Sequence, residues 1–356
     1  MKNAIMSNGL RRQIGQIKYV SPVMPGSADG LVAATYAQVE KDFGMVAPPF
    51  VAHSPAPPLL AASWALVRET LVVAGKADRA EKEVVAASVS VANACPFCIA
   101  VHTAAAQGVV PGLSTADVAS GNLPSPRLKE VAGWARSTGL RGAAQSPPPG
   151  DFAELAGVAV TFQYLNRMVN IFLPPSPLPP MTPKSIGGWV MGMIGSAMTT
   201  TSPVPGASLE LLPVGPLPEE FSWAAGDDRI AATLAGAAAS VEAAAFGGGA
   251  APVITSPVRD LLAERLGSWD GQPQGPGRAW VDAAVAGLDE ADRPAGRLAL
   301  LTAFASHQIG KADVAAFRST VQSGDEAVIT LTAWASMQVA RTVGSWLGEQ
   351  APGTAS

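Results

Sequence analysis

"EKEVVAASVSVANACPFCIAVH", residues 81–102, holds both cysteines of a 356-residue chain and one of its three histidines. Helix formers fill its first half at Glu81, Lys82, Glu83, Ala86 and Ala87, and then Asn93, Ala94 and Pro96 interrupt the run. Proline is favoured at the first position of a new helix, where its missing N–H has no partner to lose. The stretch therefore reads as two helices, 78–92 and 96–108, with Cys95 capping the second, Cys98 in its first turn and His102 one turn further along the same face. On a single straight helix Glu83 would lie about 18 Å from Cys95. A fold-back at residues 92–94 instead brings Glu83 level with His102. A carboxylate, an imidazole and a thiol then stand in a row, which orients a base and activates a sulfur nucleophile. Both sulfurs would also lie near a helix N-terminus, where unpaired N–H groups favour thiolate.

Outward from this hairpin, segments of helical length rich in Ala, Leu and Val are separated by Pro and Gly clusters, and alternating β-branched runs are scarce. The fold class read from this is all-α. Helices are expected at 30–43, 57–74, 125–138 and 151–172 in the first part. In the second they are expected at 228–246, 256–269, 277–286, 293–307, 311–322 and 325–347. Prolines crowd "LPPSPLPPMTPKS" (173–185), which marks a linker. The length suits two domains, 1–180 and 205–350, joined by a Pro/Gly-rich linker at 181–204.

Stretches of the second part echo the first in the same order. "GDFAELAGVAV" (150–160) lies over "GDEAVITLTAW" (324–334), and "NRMVNIFL" (166–173) over "ARTVGSWL" (340–347). Upstream, "DRAEKEVVAASVSVANA" (78–94) lies over "DRPAGRLALLTAFASHQ" (292–308). This reads as a tandem repeat whose second copy is shorter by about 40 residues and has lost both cysteines. Glu83, Cys95, Cys98 and His102 fall over Arg297, Ile309, Ala312 and Ala316.

Composition excludes several classes. Hydrophobic residues make up 48% and charged ones 15%, with a net charge of −4 and a pI near 5.5, so no basic patch is offered to nucleic acid. Two cysteines cannot staple so long a chain, and a close pair reads as cytoplasmic chemistry. No signal peptide is read at the start, and the apolar part of 185–209 is too short to span a bilayer.

For the cysteine pair, three readings compete. Two small buried side chains are the simplest. Zinc would take Cys95, Cys98 and His102, with Glu83 or His53 as a fourth ligand, though the second ligand pair usual in structural sites is missing. Redox chemistry uses all four of Glu83, Cys95, Cys98 and His102. Haem attachment would need histidine where Ile99 stands, and a thioredoxin-type site would need a strand before the cysteines. His53 and His307 read as structural, and Tyr164, Asn166 and Arg167 as packing groups on a helix.

The spacing itself, Glu83, eleven residues, Cys95, two, Cys98, three, His102, resembles the signature of the alkylhydroperoxidase D family, within the carboxymuconolactone decarboxylase-like superfamily. The flanks "FVAHSPAPPLLAASWALVRETL" and "VAVTFQYLNRMVNIFLPPSP" resemble it as well, so that about residues 18–180 are covered. The resemblance implies an all-helical subunit, commonly a homo-oligomer, that reduces hydroperoxides. It uses no cofactor beyond a redox-active Cys95–Cys98 disulfide, which a dithiol donor such as a lipoyl-bearing protein reduces. It further implies a Glu83–His102 proton relay, with Cys98 attacking peroxide and Cys95 resolving the sulfenic acid. One position departs: the best-studied type has histidine between the cysteines, and here Phe97 stands there. The resemblance also leaves a lactone decarboxylase or a non-catalytic redox-sensing or scaffold protein as alternatives.

Overall fold

The computed structural model describes residues 13–143, 152–179, 182–199, 201–247, 252–321 and 324–351. Residues 1–12, read above as carrying no signal peptide, lie outside these, as do positions 151 and 322 of two expected helices. Every regular element among the described residues is helical. The α-helices longer than four residues are, in chain order, α1 (Gly30–Phe43), α2 (Pro57–Val67), α3 (Arg79–Ala92), α4 (Pro96–Val109), α5 (Thr115–Ser120), α6 (Pro126–Ser137) and α7 (Phe152–Phe172). There follow α8 (Lys184–Thr199), α9 (Asp228–Phe246), α10 (Ser256–Gly267), α11 (Ala279–Val285), α12 (Arg293–Ala305), α13 (Lys311–Arg318) and α14 (Gly324–Gly348).

The starts follow local chemistry. Asp78 caps α3 by accepting from the Ala80 N–H, and Glu81 completes a capping box; Pro57, Pro96 and Pro126 open α2, α4 and α6. The expected helix 57–74 instead ends its α-geometry at Val67 and continues as a wider π-turn, Arg68–Val72. That turn is wholly buried. Arg68 reaches Asp42 at 2.7 Å, and Glu69 accepts from the Ser208 hydroxyl at 2.7 Å and the Gly206 N–H at 2.9 Å. Burying these charges requires such partners, and the widened turn is where the helix accommodates them.

The α3–α4 hairpin is the centre of the first half. Ala94 turns the chain at φ 48°, a left-handed conformation that costs an alanine about 1 kcal/mol, and α4 returns along α3. At the other end of α3, Lys82 lies 2.8 Å from Glu154 of α7, which also accepts from the Lys76 and Ala77 N–H groups at 2.9 and 3.2 Å. This buried cluster ties α3 to α7.

Helix α7 packs along α14, and each carries a helix of its own half, α3 on α7 and α12 on α14; α2 lies against α9. The echoing stretches of α7 and α14 therefore lie in helices that meet across the molecule, while those of α3 and α12 lie in helices carried one on each of them. Buried apolar residues of both halves form one continuous core. Helix α9 is long and apolar enough to cross a bilayer by length and composition alone, and here it is packed against α2 and α14.

The expected linker holds a helix. Prolines of 173–185 cluster ahead of α8, and the residues after them are apolar and small, so α8 lies directly on α4. Gly195 makes this possible: a Cβ there would stand 2.1 Å from the Ala104 carbonyl oxygen, a backbone atom that cannot rotate away. Gly195→Ala is therefore expected to pry α8 from α4 and to destabilise the protein by about 1–3 kcal/mol, read as a lower denaturant midpoint.

Candidate active site

Glu83 and His102 face one another across the α3–α4 hairpin, as the fold-back predicts. The His102 Nδ1–H donates to Glu83 Oε2 at 2.8 Å, and Glu83 is fully buried. The other carboxylate oxygen, Oε1, accepts from Arg79 at 2.9 Å through Nε and lies 2.7 Å from Nη2. Burial alone would push the Glu83 carboxyl up. The Arg79 charge and the His102 hydrogen bond outweigh it and hold the carboxyl below its ordinary value of 4.5. An ionised Glu83 keeps the imidazole proton on Nδ1 and leaves Nε2 as the free base; among the described residues Nε2 has no hydrogen-bond partner.

Arg79 was not singled out from the sequence. Its spacing four residues before Glu83 on a helix is the signal that points to it. It also donates to the carbonyls of Val72 at 3.1 Å and Met198 at 2.9 Å, so one guanidinium joins the carboxylate, the π-turn and the end of α8.

Cys95 occupies the N-cap position of α4, but its sulfur makes no capping bond; the turn is closed by its N–H on the Ser90 carbonyl at 2.9 Å. Both thiols are free and buried, and Cys95, Asn166 and Ser90 are the neighbours that act on the charge of Cys98. The expected thiolate does not follow from the helix end. Burial first and then the neighbouring Cys95 push the Cys98 thiol well above its ordinary value, and Asn166 and Ser90 offset only part of this. Loss of solvation outweighs the half-charge of a helix terminus here.

Cys98 and His102 line a pocket with about 580 Å³ of empty space, part of it open to solvent, whose walls include Phe43, Phe50, Phe97, Leu165, Ile194 and Met198. Phe97, the residue between the cysteines, is thus pocket wall. Cys95, fully buried, is not part of that wall. His102 also meets the edge of Phe162, with ring centres 4.6 Å apart.

His53 is not part of the pocket wall. Fully buried, it donates through Nδ1 to the Pro49 carbonyl at 2.8 Å and accepts the Tyr164 hydroxyl at Nε2, 3.0 Å away. Burial drives its pKa down to about 4. A zinc reading needs His53 or Glu83 as fourth ligand, and both are committed to these other partners. Among the described residues no cluster of His, Cys, Asp or Glu is arranged to hold a metal. In the second half, Arg297, aligned with Glu83, lies 3.2 Å from Asp313, which Arg278 also meets at 2.6 Å. Arg297, the residue that the sequence alignment sets over Glu83, thus belongs to an ion-pair cluster.

Residues 58–110, from α2 to just past the end of α4, match the Carboxymuconolactone decarboxylase family. A Mycobacterium tuberculosis protein named alkyl hydroperoxide reductase Rv2159c is 33% identical over 349 residues, covering 96% of this chain and 97% of its own. The chain belongs to the alkylhydroperoxidase D-like branch of the carboxymuconolactone decarboxylase family. That similarity runs through both halves, so the second half has a counterpart in the relative, and the family match includes the hairpin described above.

The folded contacts of Glu83 set a pH dependence. Its carboxyl is held below the unfolded value, so its stabilising contribution is complete above about pH 4.5 and fades as pH falls through the lower folded value. The wild-type melting temperature should accordingly fall more steeply below pH 4.5 than that of Glu83→Gln. At neutral pH Glu83→Gln should be the less stable by about 3 kcal/mol, because Arg79 loses its buried partner.

Proposed function

We propose that this protein is a thiol-dependent peroxidase that reduces organic hydroperoxides through Cys98 and Cys95. The observation that supports this most directly is the pocket: one sulfur, Cys98, stands in an apolar wall with His102, and the second, Cys95, is fully buried outside that wall, three residues away at the cap of the same helix. Such walls favour a hydroperoxide with a hydrocarbon tail, each buried methylene adding about 0.8 kcal/mol of binding.

In this reading, His102 Nε2 takes the proton of Cys98, and the Glu83 carboxylate, which Arg79 keeps ionised, stabilises the imidazolium. The thiolate attacks the terminal peroxide oxygen. An S–O bond forms, the O–O bond breaks, and the imidazolium returns its proton to the departing alkoxide, giving an alcohol and Cys98 sulfenic acid. Cys95 then attacks that sulfur, water leaves, and a Cys95–Cys98 disulfide results. A dithiol reductant, of the lipoyl type in the family resemblance, restores both thiols by exchange. The raised Cys98 thiol gives the relay its purpose, because little thiolate exists until a base is engaged.

The second half is, in the same reading, a cysteine-free copy that supplies within one chain the surface a partner subunit would otherwise give. The packing of α7 on α14, each bearing the corresponding helix of its own half, supports it.

Steady-state consumption of an alkyl hydroperoxide with a dithiol reductant tests the proposal. Wild type should turn over, Cys98→Ser should fall to the uncatalysed rate, and Cys95→Ser should show a single burst and accumulate sulfenic acid. Undiminished turnover in both variants would sink the redox reading. Oxidation of wild type once, without turnover, would mark a sensor instead of an enzyme.

A further inference from the structure

We propose that Arg79 is a positioning residue for the relay: its fixed positive charge balances Glu83, so that His102 rests neutral with Nε2 bare. The inference rests on the reading of His102 as the base that serves Cys98. It follows from counting the charges that reach one buried carboxylate and from where the guanidinium is anchored.

Glu83 is fully buried, and the pocket that His102 lines has apolar walls. A lone carboxylate in such surroundings draws either a cation or a proton. Two side chains meet it. Arg79 reaches Oε1 through Nε at 2.9 Å and Nη2 at 2.7 Å, and His102 donates to Oε2 at 2.8 Å. A guanidinium keeps its charge at any working pH, whereas an imidazole is charged only when both of its nitrogens are protonated. With Arg79 in place the carboxylate is already balanced, and His102 needs no second proton. Without Arg79 the nearest neutralising charge is a proton on Nε2, which turns the base into an imidazolium held in an ion pair.

Other ionisable groups on the surrounding elements are engaged elsewhere. Lys82 of α3 is paired with Glu154 of α7, and Arg229 of α9 lies 3.5 Å from that same carboxylate. Glu81 of α3 is bound by Arg127 of α6, Asp78 caps α3, and Asp117 of α5 caps its own helix. Arg136 of α6 donates to the Val118 carbonyl. Arg68 of the π-turn meets Asp42 and Glu69, and Arg167 of α7 is spent on Gln163 and the Ala303 carbonyl. Tyr164 of α7 is bonded to His53, and the thiols of Cys95 and Cys98 supply no cation. Residues 185–199 of α8 include no ionisable side chain. The balance at Glu83 is therefore left to Arg79 and His102.

The guanidinium is anchored on two sides. Nη1 donates to the Val72 carbonyl at 3.1 Å, at the end of the π-turn, and Nη2 donates to the Met198 carbonyl of α8 at 2.9 Å. Met198 is also pocket wall. The charge that sets the base is thus held by a helix that lines the substrate pocket.

Imidazole nitrogen NMR of the reduced full-length protein at neutral pH, with His102 assigned by its loss in His102→Gln, tests this without peroxide. Wild type should show a protonated Nδ1 and a bare Nε2. In Arg79→Gln the bare-nitrogen resonance should be lost to the imidazolium pattern, and Arg79→Lys, which returns a positive charge, should restore it. A wild-type pattern in folded Arg79→Gln would overturn the proposal. So would an imidazolium in Arg79→Lys, which would mark lost packing in place of lost charge. Should Arg79→Gln not fold, the comparison is Glu83→Gln against the double variant Arg79→Gln/Glu83→Gln, which has neither buried charge. His102 should take its proton at a higher pH in the double variant, where no guanidinium repels it, and equal titration of the two would overturn the proposal. Failure of wild type to turn over peroxide would remove the peroxidase reading and leave the Arg79 assignment standing.

Discussion

A carboxylate with no exposed surface remains ionised only when charge and hydrogen bonds replace the water it has lost, and Glu83 is such a group. Arg79 takes one of its oxygens and His102 the other. Much of the architecture follows from that requirement. The α3–α4 hairpin must close tightly enough to bring residue 102 to residue 83, Ala94 must accept a left-handed turn, and the end of α8 must approach closely enough to offer Arg79 the Met198 carbonyl. The same ion pair fixes the imidazole tautomer and leaves Nε2 free beside the pocket. Stability and chemistry are thus coupled at a single carboxyl group.

The cysteines show the opposite balance. Their position at the start of α4 would ordinarily lower a thiol pKa, yet burial, followed by the neighbouring sulfur, dominates for Cys98. The site resembles a store of protonated thiol with a base beside it more than a standing nucleophile. In the proposed mechanism such a sulfur is protected from adventitious oxidation until a substrate occupies the apolar pocket and the proton is taken. Phe97 contributes wall to that pocket, at the place where the best-studied type of the resembling family carries a histidine, so that mechanism assigns proton handling to His102.

Two halves of unequal chemistry share one core. The first keeps the carboxylate, imidazole and thiols. In the second the aligned region is filled by Arg297, Arg278 and Asp313, an ion-pair cluster with no nucleophile. The second half still reaches the active hairpin, through Ser306 on Asn170 and the Ala303 carbonyl on Arg167. Its contribution to the site is mechanical support carried along α7.

The all-helical class, most helix limits and the meeting of Glu83 with His102 were legible in the sequence, because they depend on short-range rules: proline at a helix start, a capping aspartate, side chains four residues apart. The helix at 184–199 was not, since the prolines before it and the glycines within it mimic a linker, and it packs on α4 where Gly195 allows close approach. Nor could the sequence place Asn166, which meets Asn93 and Ser90 from 73 and 76 residues away with no local pattern to join them. The state of the Cys98 sulfur also escaped it. Local position argued for thiolate, but solvent exclusion depends on which distant elements cover the site, and only the tertiary structure decides that.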